Sequence, residues 1–365
     1  MIFDAFARKL RGSPTWRKEQ EHVAQLVVER PQDTIAFAAV LDLELERRGF
    51  DPAVHEVRSS LLDLVCGLVH DDATSLAVHL ASRPGMADPV APAPRHRRSR
   101  GAMQIAGTRS ASEIWELLAD PHGLRRSDPE FGALLLHELV VRNEPVPPSA
   151  TWFAEWARDA DHALARLPAA LLPVEIGLPR RLLRSGQAVG TSAPGLADQP
   201  PEAPVTLGQL VDGLGDPVPV DGHRIGAAFR DWTGDPHGRV EITGWAAGSG
   251  FPPGLPAPQL SPDLAAWRLS PAAAVELLFA ASMAGATGAA GPGGAHARLR
   301  TWEAVSGIVD RPWPMPIQDL ADATVDSLWI TPERHDPWFG LAAGRVWLIV
   351  RTGDRLVVLA ATAAG

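Results

Sequence analysis

The residues whose types and spacing are best suited to ligand binding lie in and after a glycine-rich stretch, 285–294, that precedes a predicted helix. Backbone amides at a helix N-terminus bind anions, so this stretch could hold a phosphate. The candidate ligands are Gly291, Gly293, Gly294, Arg298 and Arg300. A nucleotide-binding loop normally follows a β-strand, but the element before this stretch has helical spacing. The stretch therefore predicts either a connection between helices or a phosphate site.

A second candidate site is aromatic. His335 and Asp336 are followed by Trp338, in a region rich in tryptophan. Aromatic residues around a His–Asp pair can enclose a small ligand. The same residues can equally form a loop that caps the core. Together with the glycine stretch, they define one functional hypothesis: an enzyme that binds a small ligand or a nucleotide.

Other groups of ionisable residues have simpler explanations. His137-Glu138 begins a His-Glu-x-x-His zinc motif, but Val141 stands where the second histidine should be. A four-residue stripe spaced for one helix face suits ordinary ion pairs as well as proton transfer. Its members are Glu155, Asp159, His162 and Arg166. We therefore predict no catalytic residue, metal site or cofactor.

Composition excludes several classes of protein. The chain has 365 residues, 45% of them hydrophobic, and a formal net charge of −9, which is typical of a globular protein. Cys66 is the one cysteine and cannot form an internal disulfide, and no apolar run near Met1 suits a signal peptide, so a cytoplasmic location is expected. No segment predicts a membrane span. An acidic body repels nucleic acid, and the short basic tract Arg95–Arg100 is the exception.

The first part of the chain is predicted to be helical. Residues 1–82 form helical hairpins, 83–101 a linker or loop rich in proline and arginine, and 102–167 a second helical group with a helix at 151–167. The third helix begins at Asp51-Pro52 and carries an apolar stripe at helical spacing. That stripe comprises Val54, Val57, Leu61, Leu64, Val65 and Leu68. These helices predict either a bundle or a short helical-repeat array.

The second part changes character. Residues 168–262 are rich in proline and glycine, with a possible hairpin between about 225 and 245. Residues 263–365 alternate helices with strands predicted at 326–330, 345–351 and 355–361. Consecutive apolar residues in the last two strands indicate that both of their faces are covered. The fold class is therefore α+β, with a helical N-terminal half and a tryptophan-rich C-terminal α/β region that contains a small sheet.

Several strings in residues 225–365 resemble an uncharacterised actinobacterial family that carries a domain of unknown function. They are Phe229-Arg-Asp-Trp232, Gly238-Arg-Val-Glu-Ile242, the segment from Gly291 to Trp302, Trp338-Phe339 and the ending Leu356–Thr362. The resemblance supports the fold described above and implies no activity or site residue.

Because each candidate constellation has an ordinary structural explanation, the sequence favours a non-catalytic function. We expect a protein-interaction or regulatory module whose helical surface contacts another protein. The ligand-binding enzyme described above is the alternative, and a nucleic-acid partner ranks below both.

Overall fold

The computed structural model describes most of the chain and divides it into two compact units. The first unit comprises Met1–Leu139 with Glu144–Asp159, and the second comprises Val140–Asn143 with Ala160–Gly365. The described residues are 2–13, 16–49, 51–69, 72–82, 94–120, 128–147, 153, 155–156, 162–178, 205–210, 214–233, 238–247, 265–284, 293–331 and 345–362.

Helices dominate the first part of the chain, as the sequence predicts. They are α1 (Ile2–Leu10), α2 (Trp16–Glu29), α3 (Asp33–Arg48), α4 (Pro52–Cys66), α5 (Ala73–Ser82), α6 (Pro94–Thr108), α7 (Ala111–Ala119) and α8 (Pro129–Val141). The predicted stripe of α4 faces inward, since Val54, Val57, Leu61 and Val65 are buried. Helix α8 is buried on every side from Phe131 to Val141, and within this range only His137 and Glu138 have polar side chains.

Asp51, which lies between α3 and α4, connects the start of α4 to the end of α1. The Oδ1 atom of Asp51 caps α4 by accepting hydrogen bonds from the amides of Ala53 and Val54, both at 3.1 Å. Its Oδ2 atom accepts the amide of Gly12, 3.0 Å away, just beyond α1. Gly12 has a positive φ of 65°, which a residue without Cβ adopts at little cost. The predicted start of the third helix at Asp51-Pro52 is therefore confirmed, and that helix is α4 of the structure.

Helices α5 and α7 are joined through Glu113. Its Oε2 atom accepts a hydrogen bond from the Thr74 hydroxyl at 2.5 Å, and its backbone amide donates to the Ser110 side chain at 3.3 Å. The Thr74 hydrogen bond, more than any other contact, lowers the pKa of the Glu113 carboxyl. Ser110 therefore caps the N-terminus of α7.

The predicted linker at 83–101 is wrong for its second part, because α6 begins at Pro94. Arg98 is neutralised by Asp128, with Nη2 and Oδ2 2.5 Å apart, and its guanidinium lies 5.8 Å from the centre of the Phe131 ring. Gly101 packs against Ala81 of α5. The sequence favoured a loop because the arginines in 83–101 repel one another. Asp128, thirty residues after Arg98, offsets part of that repulsion.

The continuous helix predicted for 151–167 is also wrong. His162 has extended backbone angles, and its Nδ1 atom accepts the Leu164 amide at 3.3 Å, so that it caps a 3-10 helix at Ala163–Arg166. A second 3-10 helix follows at Pro173–Glu175. Asp159 lies outside the described residues, and His162 and Arg166 do not share an α-helical face with Glu155.

An antiparallel sheet forms the centre of the second unit. Its strands are β1 (Val205–Thr206), β2 (Leu214–Val218), β3 (Arg239–Ala247), β4 (Ala265–Leu269), β5 (Leu328–Thr331), β6 (Arg345–Thr352) and β7 (Arg355–Thr362). Their order is β1-β4-β5-β6-β7-β3-β2. Every pairing is antiparallel, and β7 lies between β6 and β3 along its whole length. The β6–β7 hairpin turns at Gly353, whose φ is 59°.

Both faces of the central strands are covered, which confirms the sequence interpretation. Leu356, Val357, Val358 and Leu359 are all buried although successive side chains point to opposite faces. One face belongs to a core that includes Trp245, Ile330 and Ile349. Three longer helices accompany the sheet: α9 (Pro271–Met283), α10 (Gly294–Ile308) and α11 (Ile317–Val325).

The hairpin predicted to begin at Ile225 is wrong, because only its second arm is a strand. Residues 222–233 form three successive helical turns, Gly222–Ile225, Gly226–Phe229 and Arg230–Thr233. Ile225, Ala228, Phe229 and Trp232 are buried at i, i+3, i+4 and i+7, which is helical spacing. The Oδ1 atom of Asp221 caps the first turn through the Arg224 amide at 3.0 Å.

The predicted fold class, α+β with a helical N-terminal half, is confirmed by this architecture. Among the described residues, no helix is both long enough and apolar enough to cross a membrane.

Candidate functional site

The glycine stretch is described only at its end. Four of the predicted site residues lie outside the described residues: Gly291, His335, Asp336 and Trp338. The ligand site predicted around them therefore stays a prediction. Gly293 precedes α10 with a positive φ of 88°, and Gly294 is the first residue of that helix; both are buried. The Gly293 carbonyl accepts the Ala297 amide at 3.0 Å and thus begins the helical hydrogen bonds.

Arg298 lies inside the second unit and forms an ion pair with Glu175. Neither side chain has any exposed surface. The Arg298 Nε atom lies 2.7 Å from Glu175 Oε1, and Nη2 lies 2.7 Å from Oε2, in the bidentate geometry that favours arginine. The predicted anion ligand is therefore engaged by a carboxylate of the same chain.

The surroundings of this ion pair supply further hydrogen bonds. Arg298 also donates to the carbonyl oxygens of Pro168 and Ala170, at 2.9 and 2.8 Å. Glu175 accepts the Trp302 indole N–H at 2.7 Å and the Leu172 amide at 2.9 Å. A buried ion pair with this many hydrogen bonds holds the segment 168–175 against α10. We name Glu175, Arg298 and Trp302 the buried triad.

Arg300 is also paired within the second unit. Its Nη1 atom lies 2.8 Å from Asp231 Oδ2, with both side chains almost buried. One residue earlier in the chain than Asp231, Arg230 forms an ion pair with Glu303 of α10. These contacts fasten the helical turn Arg230–Thr233 to α10, which is a structural use of both arginines.

The remaining sequence candidates are placed as follows. His137 and Glu138 are fully buried in α8, and the His137 ring meets the Phe153 ring edge-on with centroids 5.1 Å apart. Cys66 is a buried free cysteine, and burial raises the pKa of its thiol. Within the described part of the chain, no three His, Cys, Asp or Glu side chains are grouped so that they could hold a metal ion.

Helix α3 presents a surface that sequence reasoning missed. Its buried side, which includes Phe37, Leu41 and Leu45, packs inward. Its outward side is also apolar in the middle two turns: Ala36 and Leu43 are exposed and Val40 is half-buried. Leu43 keeps 36% of its surface accessible. We call Ala36, Val40 and Leu43 the α3 stripe.

The neighbouring helices expose polar residues over their middle turns, and α2 exposes an apolar residue, Val28, near its end. The exposed residues of the middle turns are Glu21, His22 and Gln25 of α2 and Glu56, Ser59 and Asp63 of α4. The signal for the stripe is present in the sequence, because Ile35–Leu41 is an unbroken run of seven apolar residues. Such a run covers nearly two helical turns, whereas a helix buried on one side needs apolar residues on that side alone.

Comparison with known proteins identifies a family and no activity. No curated protein and no solved structure matches the chain. Residues 20–365 match the model of a family described as a family of unknown function, DUF6183. This match confirms the resemblance to a domain of unknown function seen in residues 225–365 and extends it through the helical region. The chain belongs to the DUF6183 family of unknown function.

Proposed function

We propose that this protein is a non-catalytic interaction or regulatory module, and that the helical unit binds another protein through the α3 stripe. The observation that supports the proposal is the outward apolar side of α3, whose neighbours α2 and α4 expose polar residues over their middle turns. Val28, near the end of α2, is also exposed and adds an apolar side chain to this unit's surface. Exposed apolar side chains grouped along one helix are typical of a surface that a partner covers.

The buried triad supports the non-catalytic part of the proposal. Arg298 is a predicted phosphate ligand that lies within the described residues. Its guanidinium is already hydrogen-bonded to Glu175 and to two backbone carbonyl oxygens. A group held in this way maintains the fold. We further propose that the protein acts in the cytoplasm, where a lone reduced cysteine such as Cys66 is common. In this proposal the helices α2 to α5 form a short repeat-like array.

Affinity capture with the full-length chain tests the proposal. Wild-type protein, Leu43→Asp and Val325→Asp are immobilised separately and exposed to a lysate of the source cells. The proteins captured by each are quantified by mass spectrometry. Val325 is the matched control, because it is 57% exposed on α11 of the other unit and receives the same charge.

We expect a partner that binds wild type and Val325→Asp and is lost with Leu43→Asp, since a buried aspartate is costly at an interface. Equal capture by all three proteins would contradict the α3 stripe as the contact. Circular dichroism spectra of the variants check that the helices remain folded.

A further inference from the structure

The α3 stripe is complementary in size to a second copy of itself. Ala36, Val40 and Leu43 are separated by four and three residues, the spacing with which one helix contacts another. If a second α3 is placed antiparallel across a two-fold axis at Val40, Leu43 faces Ala36 of the second copy. The small alanine gives room for the large leucine, and the symmetry repeats this contact on the other side of the axis.

The charges at the two ends of the stripe fit the same arrangement. Asp33 lies three residues before Ala36, and Arg47 lies four residues after Leu43, on the same side of α3. The same two-fold axis places Asp33 opposite Arg47 of the second copy, twice. Asp33 also lies 4.0 Å from Arg30 of its own chain. The Arg30 side chain is 67% exposed and the distance is long for an ion pair, so that pair is weak. Antiparallel helix dipoles add a small attraction.

From size and charge together we infer that the partner of the α3 stripe is a second copy of this chain, packed antiparallel along α3. This inference rests on the proposed function, because it names the protein bound at that surface. A contact made by one helix from each copy is small compared with stable interfaces of about 1,200–2,000 Å². Self-association is therefore weak and depends on protein concentration.

Sedimentation velocity of the full-length protein over a range of concentrations, up to about 1 mM, tests the inference. Wild type is expected to shift from monomer to dimer as concentration rises. Leu43→Asp should weaken the dimer by at least about tenfold, because it places two charges in the apolar contact. Val325→Asp, with the same change on α11, should associate like wild type.

Charge reversal tests the orientation of the two copies. Arg47→Asp places aspartate opposite Asp33, and Asp33→Arg places arginine opposite Arg47, so each single variant should weaken association by about fivefold. The double variant Asp33→Arg/Arg47→Asp restores opposite charges across the axis and should recover most of the wild-type association. Thermal unfolding of each variant checks that α3 is intact.

Two results would overturn the inference. The protein could remain a monomer at every concentration, or it could form a dimer whose strength is unchanged by Leu43→Asp and by the charge reversals. Neither result decides the proposed function, which the capture experiment tests separately. A monomeric protein whose heterologous partner is lost with Leu43→Asp would keep the α3 stripe as a binding surface and exclude self-pairing there.

Discussion

At the scale of single residues, the ion pair between Glu175 and Arg298 shows how distance along the chain hides a role. The two residues are 123 positions apart, and each looks like an ordinary charged residue in the sequence. Both are completely buried, where a lone charge would be costly. Arg298 was a reasonable candidate for phosphate binding because its partner could not be identified from local spacing.

The buried ion pair gives a prediction about stability. Glu175→Gln leaves the Arg298 charge buried without its counter-charge, and we expect the free energy of unfolding to fall by about 3–5 kcal/mol. Urea denaturation measures this loss. The matched control is Glu241→Gln, which disrupts the pair between half-buried Glu241 and exposed Arg239. Water screens this pair, so the change in stability should be less than about 0.5 kcal/mol.

A second variant separates the charge from the hydrogen bonds. Glu175→Leu combined with Arg298→Met removes both charges, so it should recover part of the loss seen with Glu175→Gln. Recovery stays incomplete because the carbonyls of Pro168 and Ala170 and the Trp302 indole N–H lose their partners. Equal unfolding free energies for Glu175→Gln and wild type would contradict a stabilising role for the pair.

At the scale of elements, the close contact of α5 and α6 reverses a general rule. Replacing a helical glycine by alanine normally stabilises a helix by about 0.5–1 kcal/mol. At Gly101 of α6, however, an added Cβ would lie 2.8 Å from the Cβ of Ala81. We expect Gly101→Ala to push the two helices apart and to destabilise the protein by about 1–3 kcal/mol.

Thermal or urea unfolding checks this change of sign. Gly222→Ala is the control, because an added Cβ there meets nothing within 4 Å. The pair Gly101→Ala with Ala81→Gly restores the space between the helices and should regain most of the lost stability. A Gly101→Ala protein more stable than wild type would mean that α6 does not approach α5 so closely.

Sequence predicts elements well when their signals are local, as β6 and β7 show. Their apolar residues are consecutive, and the turn at Thr352-Gly353-Asp354 lies between them, so both strands and their coverage are predicted correctly. The signal for helix at 222–233 is also local, in the spacing of Ile225, Phe229 and Trp232, but the glycine-rich turn after it favoured a hairpin. The helix α6 was missed because Arg98 is paired with Asp128, thirty residues later in the chain, and no local pattern reveals that contact.

At the scale of the whole molecule, the sheet joins segments that are far apart in sequence. Strand β7 pairs with β3, more than one hundred residues earlier, through eight consecutive residue pairs from Arg239↔Thr362 to Ala246↔Arg355. Sequence patterns identify each strand, but the choice of neighbours depends on the packing of the complete unit. The order of the strands in the sheet could therefore not be predicted from the sequence. The presence of the last two strands could be.

The position of β7 gives a prediction about the whole sheet. A residue in a strand with neighbours on both sides always directs its N–H towards one of them, and proline has no N–H. Val357 of β7 pairs with Val350 on one side and Gly244 on the other. We expect Val357→Pro to cost at least about 3 kcal/mol and to expose Trp245 and Trp329, which are buried in the wild type.

The edge strand β2 supplies the control. It contains Pro217 beside a register shift, and Asp216 lies within that irregularity, so Asp216→Pro should leave the sheet folded. Tryptophan emission reports the outcome: Val357→Pro should shift it towards longer wavelength, and Asp216→Pro should resemble wild type. Because eight of the twelve tryptophans follow residue 230, the signal comes mostly from the second unit. Wild-type emission from Val357→Pro would mean that β7 does not occupy the centre of the sheet, whereas loss of the signal in both variants would mean that β2 is not a tolerant edge.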